Sequence, residues 1–325
     1  MKIGDETYQY YFYFIRERMK IFWRRYEGAE SRLTNDVILA RHKFTNVYRV
    51  QDRVSQYLIR RVISEKEQQY SHIENLLRII IFKIFNNINT WEYLEHRLGE
   101  ISIKTFNVDL ITALLDERIK HIAIFSPAYM MTGSHAKYNM YARKHEKWLR
   151  MVEKELLLEK GFERIIETKS LEEVYNILLQ CSFIGEFLAF QYAIDFNYSS
   201  FINFDENSFV KAGIGAIRGI KKCFSNIGQY TFEDCIKYTR DNFENYQQRY
   251  GFTDFKNLFG RPPQLIDLQN CFCETDKYLR VKMPELLVGN RRIKQKFDRP
   301  KEHIQFLFPE KWGINKYIDQ SPCLQ

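Results

Sequence analysis

No run of about 18 apolar residues occurs in the 325-residue sequence, so no membrane-spanning helix is expected. The N-terminus shows no signal-peptide pattern, and the expected setting is a reduced cytoplasm, that of the host if the protein is phage-encoded. Glycine (14) and proline (7) are too scarce for a disordered or turn-dominated chain. The six cysteines, at positions 181, 223, 235, 271, 273 and 323, form no CxxC pair, and CFC at 271–273 is too tight for the usual zinc motif. No metal and no cofactor are expected. The P-loop pattern GxxxxGK[ST] is also absent, which excludes P-loop phosphotransfer by these residues themselves. Neither an internal repeat nor a low-complexity tract is present.

Aromatic residues and positive charge are what the chain has in excess. Phenylalanine (26), tyrosine (21) and tryptophan (4) make up 16% of it, mostly core material and in part surfaces on which bases can stack. A net charge of +8 favours a polyanionic partner, DNA or a phosphorylated ligand. Periodicity predicts a mainly α protein, either one domain or two lobes: 1–165 with an arginine-rich motif and 166–290 with a glycine turn, followed by a basic tail at 291–325.

The arginine-rich motif is RHKFTNVYRVQDRVSQYLIRR, residues 41–61. Wound as a helix from about Asn46, it places Val47, Val50, Val54, Leu58 and Val62 on one buried arc. The opposite stripe then gathers Asn46, Arg49, Arg53, Gln56 and Arg60, with Asp52 one turn from Arg49. Guanidinium forks and carboxamides suit phosphate oxygens and base edges, although such a stripe also serves as a plain solvated face. Arg41 and Lys43 sit just ahead of this helix as a basic approach. Before it, residues 8–28 read as an aromatic helix with a basic end, and Ser31, Thr34 or Asn35 can cap the next turn. After it come a core helix ending near Asn86, a helix capped by Thr90, a helix within 101–118, a strand-like IAIFS at 122–126 and a charged helix at 142–159. Ser134 and His135 are sequence neighbours in a polar loop and do not form a catalytic pair.

A further helix is expected from Leu171, capped by Thr168 or Ser170, to about Asp195. Its portion CSFIGEFLAFQYAIDF is apolar nearly all round, which implies burial on every side. Glu186, Gln191 and Asp195 inside it then need cationic or hydrogen-bonding partners, for which the arginine stripe is a candidate. GIGAIRGIKK at 213–222 reads as the turn of a helix-hairpin-helix. Gly213 and Gly215 would let the backbone approach a phosphate there, with Arg218 and Lys221 adding charge. A helix begun by Thr231 carries Asp234 in its first turn. The last, started by Pro262 and Pro263, presents Cys273, Glu274, Lys277 and Arg280.

Four motifs in this order, RxKFTNVYRxxDRxSQYL, FxGEFLAFQxAxDF, GIGAIRGIKK and CETDKYLR, span about residues 31–282. Together they resemble the bacteriophage thymine-hypermodification family of alpha-glutamyl/putrescinyl thymine pyrophosphorylases, whose helical domain also occurs with 5-hydroxymethyluracil DNA kinases. The resemblance implies a fold akin to helix-hairpin-helix DNA glycosylases. It implies action on DNA in which an amine or amino acid displaces pyrophosphate from an activated 5-hydroxymethyluracil, with base flipping or major-groove access. Arg41, Lys43, Arg49 and Arg53 would then meet the pyrophosphate, Asp195, Glu186 or Asp52 would serve as the carboxylate base, and Asn46 or Gln191 would read the uracil edge. Two other readings stay open: a DNA-binding helical module serving a separate DNA kinase, and a glycosylase-like enzyme using Asp234. Ile217 stands where a bifunctional glycosylase would carry a lysine.

Overall fold

The computed structural model describes residues 1–29, 33–128, 131–286, 296 and 304–318. The protein is mainly helical, as expected, and divides into two compact units. Unit 1 joins residues 1–53 to 209–306 and 312–325, and unit 2 holds residues 54–208 and 307–311. This division does not follow the boundary expected near 165, because the N-terminal helix packs against elements from the C-terminal part of the chain.

Unit 1 opens with a two-residue strand, β1 (Lys2–Ile3), and the long helix α1 (Asp5–Tyr26). Tyr8, Tyr11, Phe12, Phe14, Ile15, Met19 and Phe22 of α1 are buried, spaced three and four apart on one face. A short helix, α2 (Val37–Arg41), follows, and its cap is Asp36, whose Oδ1 accepts from the Ile38 and Leu39 amides. Thr34 Oγ1 accepts from the Asp36 amide, and Ser31 lies outside the described residues. The helix expected from Asn46 does not begin there. Residues 43–48 run irregularly, Arg49–Gln51 form a single 3₁₀ turn, and Asp52 is extended before α3 (Arg53–Tyr57) starts.

In unit 2 the helix of α3 continues as wider π-helical turns over Leu58–Ser64. Next comes α4 (His72–Phe85), with a Ser71–Glu74 capping box at its start and Asn86 in the left-handed conformation at its end. Its apolar run from Leu76 to Phe85 is buried and packs on later helices of the same unit. Asn87, not Thr90, caps α5 (Ile88–Leu98). The helix α6 (Val108–Arg118) follows, and then the IAIFS segment, which is irregular rather than a strand. Its carbonyls are engaged by the side chains of Asn87 and Thr90. The charged helix is α7 (Lys144–Met151), extended by π turns to Leu158. The helices α8 (Gly161–Ile166), α9 (Leu171–Gln180) and α10 (Glu186–Phe196) complete the unit.

The single helix expected from Leu171 to Asp195 is therefore two. Ser170 starts α9 by accepting from the Glu173 amide, and the chain breaks at 181–185, where Phe183 adopts φ of 69°. Beyond α10, Lys311 donates its Nζ to the carbonyls of Asn197, Ser199 and Ile202, which no helix satisfies. Gln56, expected on the exposed polar stripe, is buried and accepts from the Leu307 amide at 2.8 Å.

The chain returns to unit 1 with α11 (Ile214–Cys223) and β2 (Phe224–Asn226), which pairs antiparallel with β1. The helices α12 (Phe232–Asp241), α13 (Phe243–Arg249) and α14 (Leu265–Lys282) follow. α14 is the axle of the unit, since α1, α11 and α12 all pack against it. The helix-hairpin-helix expectation is not met: residues 201–213 are irregular, so the glycines open one helix rather than bridge two adjacent ones. Asp234 closes a capping box with Thr231, which accounts for its place in the first turn of α12. Of the expected basic tail, only Lys296 and residues 304–318 are described.

Candidate functional site

In unit 1 a polar cluster forms around the irregular stretch from Phe44 to Asp52, gripped from two sides. From α1, Arg18 donates Nε to the Thr45 carbonyl (3.1 Å) and Nη2 to the Phe44 carbonyl (3.2 Å) and Asn46 Oδ1 (2.9 Å). From α14, Glu274 Oε2 accepts the Thr45 amide at 3.1 Å and Asp267 Oδ1 accepts the Arg49 amide at 2.9 Å. Tyr48 donates its hydroxyl to the Arg261 carbonyl at 2.6 Å. These bonds take up main-chain groups that a helix would have satisfied internally, which is why the stretch stays irregular although its valines are spaced like a helix.

Asp52 is the chemical centre of the cluster. Its Oδ1 accepts from Asn46 Nδ2 at 3.1 Å and from the Asn46 amide at 3.5 Å. Burial pushes its carboxyl up to about 6, and the Glu274 charge adds to the rise, while the Asn46 amide and the charges of Arg18 and Arg49 oppose it. Glu274 also accepts from Lys277 Nζ at 2.7 Å. Two residues on, Asp276 pairs with Lys222 at 2.9 Å and with Arg280. A carboxyl raised in this way beside fixed cations can take a proton from a nucleophile.

The expected residues distribute as follows. Arg41, Lys43 and Arg53 are exposed, Asn46, Asp52 and Lys277 are half-buried, and Arg49 is buried, all within unit 1. Arg218 and Lys221 are exposed on α11. Gly213 caps that helix, whereas Gly215 turns toward α14, where a side chain would meet Cys273. In unit 2, Gln191 and Asp195 are buried on α10, and Asp195 lies 3.4 Å from Lys83 Nζ of α4, which also donates to Asn86 Oδ1 at 2.7 Å. Glu186 was expected inside a buried helix and is instead exposed in the first turn of α10, because the chain breaks just before it.

Sequence reasoning missed Arg18 and Lys83 and left Glu274 out of the site. The signal was present for the first two. Each is a lone cation on an otherwise apolar helical stripe, between Ile15 and Phe22 or between Phe82 and Phe85, and such a residue needs a buried partner.

The chain is a mainly helical protein with a cluster of buried and half-buried charges in unit 1 and no P-loop pattern in its sequence. The chain belongs to the family described as the 5-hmdU DNA kinase helical domain, whose model matches residues 5–287. Among curated proteins it is similar to the 5-hmdU DNA kinase of Bacillus phage SP10, with 23% identity over 326 residues. That match covers 94% of this chain and 50% of the relative, so the chain spans about half the relative's length. No solved structure matches, and among the described residues no helix is long and apolar enough to cross a membrane.

Proposed function

We propose that the protein takes part in modifying 5-hydroxymethyluracil in DNA, and that it does so as a transferase acting on the activated, pyrophosphorylated base. The observation that carries this reading is Asp52, a carboxyl raised to about 6 and hydrogen-bonded within a cluster of fixed charges. In the reaction, the lone pair of an amine or amino acid attacks the 5-methylene carbon. The carbon–oxygen bond breaks, pyrophosphate leaves with the bonding electrons, and the proton released from nitrogen passes to Asp52. The exposed cations Arg41, Lys43 and Arg53 meet the leaving group and the DNA phosphates. Asp195 is enclosed beside Lys83 and is better suited to holding α10 against α4 than to touching a substrate.

A second reading, a helical module that holds DNA for a separate kinase, is favoured by the family match and the absent P-loop pattern. Mass spectrometry of nucleosides separates the two. DNA containing pyrophosphorylated 5-hydroxymethyluracil is incubated with the protein, polyamines and amino acids. The transferase yields a new base adduct that Asp52→Asn abolishes while DNA binding persists. DNA that binds in a strongly salt-dependent manner, with loss on Arg41→Ala or Arg53→Ala, yet returns unaltered sinks the transferase and leaves the module.

A further inference from the structure

Asn46 is expected to read a base edge, but its carboxamide is already engaged at both ends. Oδ1 accepts from Arg18 and Nδ2 donates to Asp52, so a flip of the amide would break both bonds. Arg18 in turn spreads its donors over three successive residues, Phe44, Thr45 and Asn46. Only a planar fork reaches acceptors arranged in this way; an ammonium is a single point. The chain of contacts therefore runs from a buried guanidinium on α1, through one carboxamide, to the carboxylate.

We infer that Arg18 is a positioning residue, which through Asn46 orients the Asp52 carboxylate. The inference rests on Asp52 as the base of the proposed reaction, but its test reads the carboxyl itself. The groups facing Asp52 are Arg18 from α1, Asn46 and Arg49 from its own segment, and Glu274 from α14. Arg18, Arg49 and the main-chain amide of Asn46 oppose the effect of burial and of Glu274, and the Asn46 carboxamide adds a second bond to the same carboxylate oxygen at 3.1 Å. Because the Arg18 charge also acts on Asp52 directly, positioning through the fork is read from Arg18→Lys, which keeps the charge, and from Asn46→Ala, which keeps the main-chain bond to Asp52.

The experiment is carbon-13 NMR of the full chain labelled at aspartate, with the Asp52 signal assigned by its loss in Asp52→Asn. In Arg18→Gln and in Asn46→Ala the titration midpoint is expected to move up by about one unit, a roughly tenfold smaller charged fraction below it. Arg18→Lys keeps the charge without the fork and is expected to shift less. An unmoved midpoint in folded Arg18→Lys overturns the inference. If that variant does not fold, Asn46→Ala, at a half-buried position, decides in the same way. Should the midpoints move while even the unaltered protein forms no adduct, the positioning role stands and the transferase reading falls.

Discussion

Gly215 and Gly219 lie one helical turn apart on α11, and both face α14. A methyl group added to Gly219 would come within 2.7 Å of the Phe272 carbonyl carbon and closer still to its oxygen. Main chain in the middle of α14 cannot swing aside, so the two helices must separate. Overpacking of this kind costs about 3 kcal/mol or more, against about 1 kcal/mol returned by the better helix propensity of alanine. Gly219→Ala is thus expected to lose about 2 kcal/mol or more, a fall in Tm of roughly 4–8 °C for a unit of this size. Gly215 differs in one respect. A methyl there meets Cys273 Sγ, which can rotate away, with the Cys273 Cβ 3.2 Å off. Gly215→Ala should therefore destabilise by only about 1 kcal/mol, and in a Cys273→Ala background the same change should become neutral or stabilising, a coupling that Gly219→Ala does not show. Thermal and urea unfolding of the three single variants and of each glycine change combined with Cys273→Ala measure this. Gly219→Ala with unaltered stability, or with a smaller loss than Gly215→Ala, would refute the close-packing account and return the glycines to a phosphate-binding role.

Two further outcomes follow from the buried charges. Because the folded state holds the Asp52 carboxyl near 6, above its ordinary value, folding takes up a proton between those values and stability falls as pH rises through that window. Asp52→Asn removes the penalty, so relative to the unaltered protein it should gain on the order of 1–2 kcal/mol above pH ~6 and little below pH ~4. Denaturation midpoints across pH test the sign, and a variant equally less stable at every pH contradicts it. For Lys83 and Asp195, breaking the buried pair by Asp195→Leu or Lys83→Met is expected to cost about 3–5 kcal/mol, while the double change Lys83→Met with Asp195→Leu costs less than the sum. Additive losses in urea unfolding would show that the two residues do not act as a pair.

Much of the fold was legible in the sequence, and the failures have physical causes. The helices α1, α4 and α14 carry long apolar stripes, and α9 and α12 are announced by Ser170 and Thr231 at their starts. The break at 181–185 was hidden because it places a phenylalanine, not a glycine, at positive φ, a conformation that local sequence disfavours and only tertiary packing enforces. The 42–52 stretch misled for a related reason. Val47 and Val50 have helical spacing, but carboxylates on α14, more than 200 residues away, take the amides of Thr45 and Arg49. The candidate cluster was partly visible: Asp52, Asn46 and Glu274 stood in motifs and Arg18 was a cation on an apolar stripe, but nothing in the sequence says that these stretches meet.

Unit 1 is built from the two ends of the chain, and this bears on the order in which the protein can fold during synthesis. Residues 54–208, nearly all of unit 2, leave the ribosome in one stretch and can condense as they appear. The aromatic face of α1 is made well before α14, yet Tyr11 stacks on Phe272 of that helix. At about 5–20 residues per second, that face waits roughly 10–50 s for its partner. For this interval the aromatic face of α1 lacks its packing partner from α14, and unit 1 can close only when α14 has been made.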